Sequence, residues 1–138
     1  MLPASSKTHK LIALVSNSGW SVYNFRLEVI RHFIRQGFQV MVVAPQDEYA
    51  DYLVQLGCRF VPLAFNNRTK NPLGDYLFYS RLKKIYRTYR PCFIFHYVAK
   101  PNIYGSLAAA ANNIPSVAVV TGLGYPFARR NLLYTVIK

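Results

Sequence analysis

The chain has 138 residues, and seventeen Lys and Arg against five Asp and Glu give it a formal net charge of +12. This length fits one domain, for which about 150 residues is typical, and a hydrophobic content of 52% excludes a disordered chain. The excess of positive charge indicates an anionic partner: a nucleic acid, an anionic membrane surface or a phosphorylated substrate. The alternative is that the charge serves solubility alone.

The cysteines and the N-terminal segment further limit the classes of protein to which the chain could belong. Cys58 and Cys92 stand beside apolar runs without metal-ligand spacing to any histidine, so we expect neither a metal site nor a disulfide framework. The segment MLPASSKTHK lacks the apolar stretch of a secretory signal, and no run approaches the roughly 20 residues that span a bilayer. We therefore expect a protein that is soluble or lies on a surface, in a reducing compartment.

Apolar runs of strand length alternate with segments of helical period. In chain order, the predicted strands are 10–16, 38–44, 59–65, 93–99 and 116–121, and the predicted helices are 22–36, 47–56, 73–90 and 101–112. Gly37 and Gly57 follow the first two helices, where a C-terminal glycine is expected, and Pro91 ends the third. Apolar strands alternating with helices predict an α/β fold, a doubly wound, Rossmann-like parallel sheet, in a single domain over 1–138.

Ligands of such sheets bind outside the carboxyl ends of the strands. We therefore expect the ligand-binding residues in three loops that follow strands: Ser16–Ser21, Tyr97–Asn102 and Thr121–Phe127. The first loop lacks the G-x-G-x-x-G pattern of a dinucleotide site. Its backbone amides, at the start of a helix, could still accept a phosphate. The alternative is that Ser18 or Ser21 only caps the helix.

Arg26 is the residue of the first helix that is hardest to explain as structure. At 100° per residue it lies on the apolar side of the helix, beside Val22, Ile30 and Phe33. A guanidinium on the core side must find an anion or reach solvent at the helix end. Three possibilities remain: a phosphate in the cleft, exposure to solvent, or an internal acid such as Asp47.

The other two loops carry further candidates. Lys100 follows the fourth strand at the mouth of the cleft, where its ammonium suits a phosphate, although plain solvent exposure is the alternative. His96 lies within the strand, and we expect it to be a core histidine. The segment TGLGYPF at 121–127 contains a second G-x-G, but no helix follows at the required spacing. We expect a tight turn that approaches a substrate.

The helix at 73–90 separates into an apolar half and a basic half. The basic half comprises Arg81, Lys83, Lys84, Arg87 and Arg90. It could bind nucleic acid, although no helix-turn-helix, zinc-ligand or RNP pattern is present. It could also lie on anionic lipid headgroups, and a solvated charged face is the third possibility.

Three stretches in order carry a family resemblance: YNFRLEVIRHFIRQGFQVMVVAP, AKPNIYGSLAAAANNIP and VTGLGYPFARRNLL. From Lys10 onward the chain resembles the N-terminal domain of glycosyltransferase family 4 enzymes with the GT-B fold. The resemblance is to bacterial transferases for capsule, O-antigen and N-linked glycans that extend an undecaprenyl-diphosphate-linked sugar.

The resemblance implies an acceptor-binding domain that faces a C-terminal nucleotide-sugar domain across a cleft. It implies a retaining, metal-independent transferase without a cofactor, a nucleotide-sugar such as a UDP-sugar as co-substrate, a lipid-linked saccharide as acceptor and no nucleic acid partner. It implies a cytoplasmic protein, peripheral on the inner face of the plasma membrane, with the five basic residues of 73–90 on the membrane surface.

The resemblance and the loop residues together give a set of expected site residues, in which the donor side comes from the family pattern. Ser18 and Gly19 are expected to face the donor diphosphate. The expected acceptor-binding residues are Asn24, Arg26, Tyr97, Lys100, Asn102, Thr121, Gly122 and Tyr125.

The chain also departs from the family pattern. Tyr97 and Thr121 stand where many members have a histidine, so no catalytic residue is carried over. The acidic E-x7-E motif is missing, so we expect that the nucleotide-sugar domain is absent from this chain and that the chain alone is inactive. The alternative is a non-catalytic basic α/β module that binds nucleic acid or anionic membrane.

Overall fold

A computed structural model describes residues 10–65 and 71–120 of the chain. Its five strands are β1 (Leu11–Val15), β2 (Gln39–Ala44), β3 (Arg59–Pro62), β4 (Phe93–Tyr97) and β5 (Ser116–Val119). They form one sheet in the order β3-β2-β1-β4-β5, and every neighbouring pair is parallel. The predicted α/β class with a doubly wound parallel sheet is confirmed.

The connections are helical. The helices are α1 (Gly19–Arg35), α2 (Tyr49–Leu56), α3 (Pro72–Tyr89) and α4 (Ser106–Ala111), with a π-helical turn at Pro101–Gly105 before α4. The first helix begins at residue 19 rather than 22, because Ser18 caps it. Within the two described ranges, no helix combines the length and the apolar character needed to cross a bilayer.

The helix ends follow from local chemistry. Gly37 and Gly57 have φ values of 92° and 114°, which glycine adopts without the steric penalty of a Cβ. Asn71 caps α3 by accepting a hydrogen bond from the Leu73 amide at 3.2 Å. Arg90, with φ of 50°, lies beyond the last turn of α3. Arg90 therefore does not extend the basic side of that helix, although the sequence predicted that it would.

The sheet is buried on both faces, and β1 shows why its sequence is apolar throughout. Leu11, Ala13 and Val15 belong to the core on the α3 and α4 side. Ile12 and Leu14 belong to the core on the α1 and α2 side. Because successive side chains of a strand point to opposite faces, a strand covered on both sides has no position for a polar residue.

His96 is the buried polar residue of β4, with an exposed fraction of 0%. Its Nε2 and the hydroxyl of Tyr86 form a hydrogen bond of 2.7 Å. Gly105 packs against the imidazole so closely that a Cβ there would overlap the ring. Burial lowers the pKa of His96 from 6.5 to about 4, so the imidazole is neutral at neutral pH.

This burial predicts a pH dependence of stability. The unfolded chain binds a proton at His96 near pH 6.5 and the folded chain only near pH 4, so acidification favours unfolding. We expect the free energy of unfolding to fall by about 3 kcal/mol from this residue as the pH falls from 7 to 4. Urea unfolding measured across this range checks the expectation.

The matched control is the exposed His32. His96→Gln should flatten the slope of stability against pH, and His32→Gln, measured over the same range, controls for the replacement of a histidine on the surface. An NMR titration of the His96 imidazole in the unaltered chain gives its pKa directly, and a value near 6.5 would contradict the expectation.

Candidate functional site

The strand order places a cavity between two loops that are distant in the sequence. The chain builds β2 and β3 on one side of β1, and β4 and β5 on the other. Parallel sheets bind ligands in the crevice at such a switch point. A cavity of about 660 Å³ lies there, lined by Ser16, Ser21, Val22, Phe25, Arg26, Tyr97 and Val98. Its volume is within the range of small-molecule sites.

Three serine hydroxyls organise the loop between β1 and α1. The Oγ of Ser18 accepts a hydrogen bond from the Ser21 amide at 3.1 Å. The Oγ of Ser21 donates to the Ser18 carbonyl at 3.0 Å and lies 2.9 Å from the Oγ of Ser16. Ser18 therefore caps α1, as one of the two sequence interpretations predicted. Ser16 and Ser21 line the cavity.

The carboxylate of Asp47 joins the starts of two helices. Its Oδ2 accepts from the Trp20 amide and its Oδ1 from the Tyr49 amide, each at 3.0 Å. Gly19 packs against the same carboxylate, where a Cβ would be too close. The first turn of α1 thus already holds an anion, which the helix dipole favours. A donor phosphate facing Ser18 and Gly19 would meet this negative charge, and that assignment stays a prediction.

Arg26 stacks on an aromatic ring inside the cavity. Its Cζ lies 4.4 Å from the ring centroid of Tyr97, a cation–π contact. Among the described residues no carboxylate pairs with it, because Asp47 binds backbone amides instead. Internal pairing with Asp47 is therefore not realised. Burial raises the pKa of the Tyr97 hydroxyl, and the neighbouring guanidinium partly offsets this effect.

The chain turns sharply where β4 ends. Val98 has φ of 66°, which a β-branched residue rarely adopts and which costs about 1–3 kcal/mol. Its carbonyl accepts from the Asn102 amide at 2.9 Å, and the Asn102 side chain donates to the Val119 carbonyl at 3.2 Å. The predicted acceptor residue Asn102 thus ties the turn to β5 and does not line the cavity, although its Oδ1 is buried without a hydrogen-bond partner among the described residues.

Lys100 pairs with a carboxylate and is not among the residues that line the cavity with Arg26. Its Nζ is 2.9 Å from the Oδ1 of Asp75, whose Oδ2 accepts from the Tyr104 hydroxyl at 3.0 Å. The hydrogen bond from Lys100 lowers the pKa of Asp75. Asp75 and Tyr104 line a second cavity of about 480 Å³ between α3 and α4. The structure therefore does not bring the two predicted phosphate-binding cations together.

The remaining predicted site residues divide into two groups. Asn24 is exposed on α1 and donates from Nδ2 to the Trp20 carbonyl at 2.8 Å. Thr121, Gly122 and Tyr125 lie outside the described residues. Phe25 also lines the cavity, although the sequence did not predict it as a site residue. Its neighbour Arg26 could have pointed to it, because both side chains come from the first two turns of α1.

The basic half of α3 is smaller than predicted. Arg81, Lys84 and Arg87 are exposed, whereas Lys83 is only half-exposed. Arg90 lies past the helix and donates to the Asn112 carbonyl at 3.2 Å. Three of the five basic residues therefore form the exposed cationic surface of α3, defined here as Arg81, Lys84 and Arg87.

The contacts of Asp47 predict a loss of stability on truncation. Asp47→Ala removes the acceptor for two helix-terminal amides, and we expect a loss of about 1–3 kcal/mol in the free energy of unfolding. The neighbouring Glu48, exposed and without a side-chain capping bond, is the control. Urea denaturation should show Glu48→Ala near the original stability. Equal midpoints for the two variants would contradict the role of Asp47.

Comparison with known proteins adds a family match. The sequence profile described as glycosyl transferase 4-like matches residues 11–138. A curated relative is the N,N'-diacetylbacillosaminyl-diphospho-undecaprenol alpha-1,3-N-acetylgalactosaminyltransferase of Campylobacter jejuni, 33% identical over 114 residues. The match covers 82% of this chain and 30% of the relative.

Solved structures give the same fold. A glycosyltransferase from Rickettsia africae superposes with a TM-score of 0.67 at 14% identity, over 91% of this chain and 35% of that one. HepE from Anabaena, solved with UDP and glucose, gives a TM-score of 0.60 at 17% identity, over 94% of this chain and 34% of that one. At these identities the likeness shows the fold alone. This chain spans about a third of the length of each of these proteins.

Proposed function

The chain belongs to the glycosyl transferase 4-like family, and from this premise we propose that it forms the acceptor-binding half of a glycosyltransferase. The proposed reaction moves a sugar from a nucleotide-sugar to a saccharide linked to a lipid diphosphate, in the synthesis of a surface polysaccharide or glycan. The observation that carries this proposal is the guanidinium of Arg26, stacked on Tyr97 in the cavity between β1 and β4.

The relatives support the chemistry of the two substrates. The Campylobacter relative is named for an acceptor in which a saccharide is joined to undecaprenol through a diphosphate. The HepE structure contains UDP and glucose. Because this chain spans about a third of each, we propose that a second domain supplies the donor site and that the chain alone does not transfer sugar. A UDP-sugar donor, retention of configuration and independence of metal belong to the same proposal.

The geometry suits the diphosphate of such an acceptor. The Arg26 guanidinium lies over the Tyr97 ring in the cavity, and a guanidinium can bind two phosphate oxygens at once through its N–H groups. Val22 and Phe25 give the cavity apolar walls, which lower the local dielectric and strengthen the charged contact. The hydroxyls of Ser16 and Ser21 add polar groups that could orient a hydroxylated ligand.

The exposed cationic surface of α3 supports a peripheral position on the inner face of the plasma membrane. Near anionic lipid, each Lys or Arg contributes about 1 kcal/mol of attraction. The same helix exposes Leu73, Tyr76 and Leu77 toward its N-terminal end. An apolar end and a basic end on one helix fit an anionic membrane better than a nucleic acid, which offers little for the apolar end.

Arg26→Leu separates the phosphate role from a structural one. The change leaves no carboxylate without its partner, because Arg26 forms no ion pair in the described ranges, and it places a leucine beside apolar neighbours. We therefore expect the melting temperature to stay close to that of the original chain. In a transferase that contains this chain, we expect transfer to fall at least about tenfold, since a charge-assisted contact contributes about 1.5–3 kcal/mol.

The control for this experiment is Arg35→Leu, at the exposed C-terminal end of the same helix. Arg35→Leu should leave transfer nearly unchanged. A marked drop in melting temperature for Arg26→Leu would show that the guanidinium is structural, and unchanged transfer would independently remove it from the phosphate site.

The membrane proposal is tested by removing the exposed cationic surface of α3. Replacing Arg81, Lys84 and Arg87 with Gln should weaken binding to phosphatidylglycerol vesicles by about 100-fold at low salt, from three charges of about 1 kcal/mol each. Thermal stability should hardly change, because exposed charges add little to folding. Vesicle cosedimentation measures the binding.

The charge-matched control replaces Arg31, Arg35 and Arg59, which are exposed elsewhere, with Gln. A parallel titration with a DNA oligonucleotide at the same ionic strength tests the alternative of a nucleic acid module. Equal vesicle binding by the two triple variants would exclude this surface of α3, and tighter binding to the oligonucleotide would favour the alternative.

A further inference from the structure

Two large aromatic side chains are exposed at the rim of the cavity between β1 and β4. The exposed fractions are 47% for Trp20 and 63% for Phe25. Their rings meet edge to face, with centroids 5.4 Å apart and an interplanar angle of 87°. Phe25 also lines the cavity directly. Neither ring contributes much to the buried core, so their exposed faces are available to a partner.

The rim is held in place before any ligand binds. The amide of Trp20 donates to Asp47, and the carbonyl of Trp20 accepts from the Asn24 side chain. The cap by Ser18 fixes the first turn of α1, from which Trp20 projects. Because the backbone that carries Trp20 is already held by these hydrogen bonds, binding there orders less of the chain, which favours affinity.

We propose that Trp20 and Phe25 bind the pyranose ring of a glycosyl phosphate whose phosphate lies on Arg26. The inference rests on the proposed function and names the part of the acceptor that this rim recognises. A pyranose has a face of C–H groups that packs on an aromatic ring, and hydroxyls at its edge that need polar partners. Asn24, whose Nδ2 donates to the Trp20 carbonyl, and Ser21, which lines the cavity, would supply such groups.

Charge complementarity favours this occupant over a purely apolar one. Phe25 and Arg26 are adjacent in the sequence and line the same cavity. Within the described part of the chain, Arg26 has no carboxylate partner. A neutral lipid chain would cover the rings but leave the guanidinium without an anion. An inorganic phosphate would satisfy the guanidinium but leave the rings exposed. A glycosyl phosphate satisfies both groups.

The chain offers a direct probe, because Trp20 is its one tryptophan. Trp20 emission is titrated in three arms, with N-acetylglucosamine 1-phosphate, N-acetylglucosamine and inorganic phosphate. Affinity is taken from the midpoint of each titration and not from its amplitude. We expect the sugar phosphate to bind at least tenfold more tightly than either the free sugar or inorganic phosphate.

Three variants assign the contacts. Phe25→Ala should weaken the sugar phosphate at least fivefold and change inorganic phosphate less than twofold. Arg26→Gln should weaken both phosphate-containing ligands. Tyr52→Ala is the matched control, because it removes another exposed aromatic ring, 51% exposed against 63% for Phe25, from α2. This control should bind all three ligands as the original chain does.

Two results would overturn the inference. One is the absence of a saturable response to the sugar phosphate, and the other is an equal affinity of Phe25→Ala and Tyr52→Ala for it. If the Phe25 variant and the control bind the sugar phosphate equally, the rings do not bind sugar. A weaker binding of inorganic phosphate by Arg26→Gln would still support the proposed phosphate site at Arg26. If no saturable response to the sugar phosphate is seen, the effect of Arg26→Leu on sugar transfer still tests the proposed function separately.

Discussion

Parallel pairing of β1 with β4 brings the loop after each strand to the same edge of the sheet. The two strands are adjacent in space although β2, β3 and their helices intervene in the sequence. Within the described ranges, α1 and α2 cover one face of the sheet and α3 and α4 cover the other, and a crevice opens above this pair at the point where the connections change face. The cavity, with Ser16 on one side and Tyr97 on the other, follows directly from that strand order.

Carboxylates are scarce in this chain, and this scarcity determines which cation beside the cavity lacks an ion-pair partner in the described ranges. The chain has five acidic residues for seventeen basic ones. Glu28 pairs with Arg31, Asp75 pairs with Lys100, and Asp47 binds two backbone amides. Arg26 pairs with none of the five carboxylates, all of which lie in the described ranges, and its guanidinium lies over the ring of Tyr97 instead. The supposed partner Asp47 is committed to holding the loop that forms one wall of the same cavity.

The turn after β4 combines several costly features close to this cavity. Val98 has a positive φ, a π-helical turn follows, and the Asn102 Oδ1 is buried without a hydrogen-bond partner in the described ranges. Close packing of His96 against Gly105 fixes where the following helix can begin. Strain of this kind persists only where surrounding packing holds it, and it is frequent beside ligand sites. Here the strained turn directly follows Tyr97, whose ring lies against Arg26.

The sequence by itself determined the fold class, because strands that are apolar at every position can be buried only in a sheet covered on both faces. It also placed Arg26 on the apolar side of α1, since helical period fixes which residues share a face. It could not decide between Asp47 and an external anion, or show that Lys100 pairs with Asp75. Those contacts join residues more than twenty positions apart, and their geometry depends on how separate loops pack at one edge of the sheet. Local periodicity carries no information about that packing, so only the tertiary structure decided which polar groups are bound within the chain and which remain available.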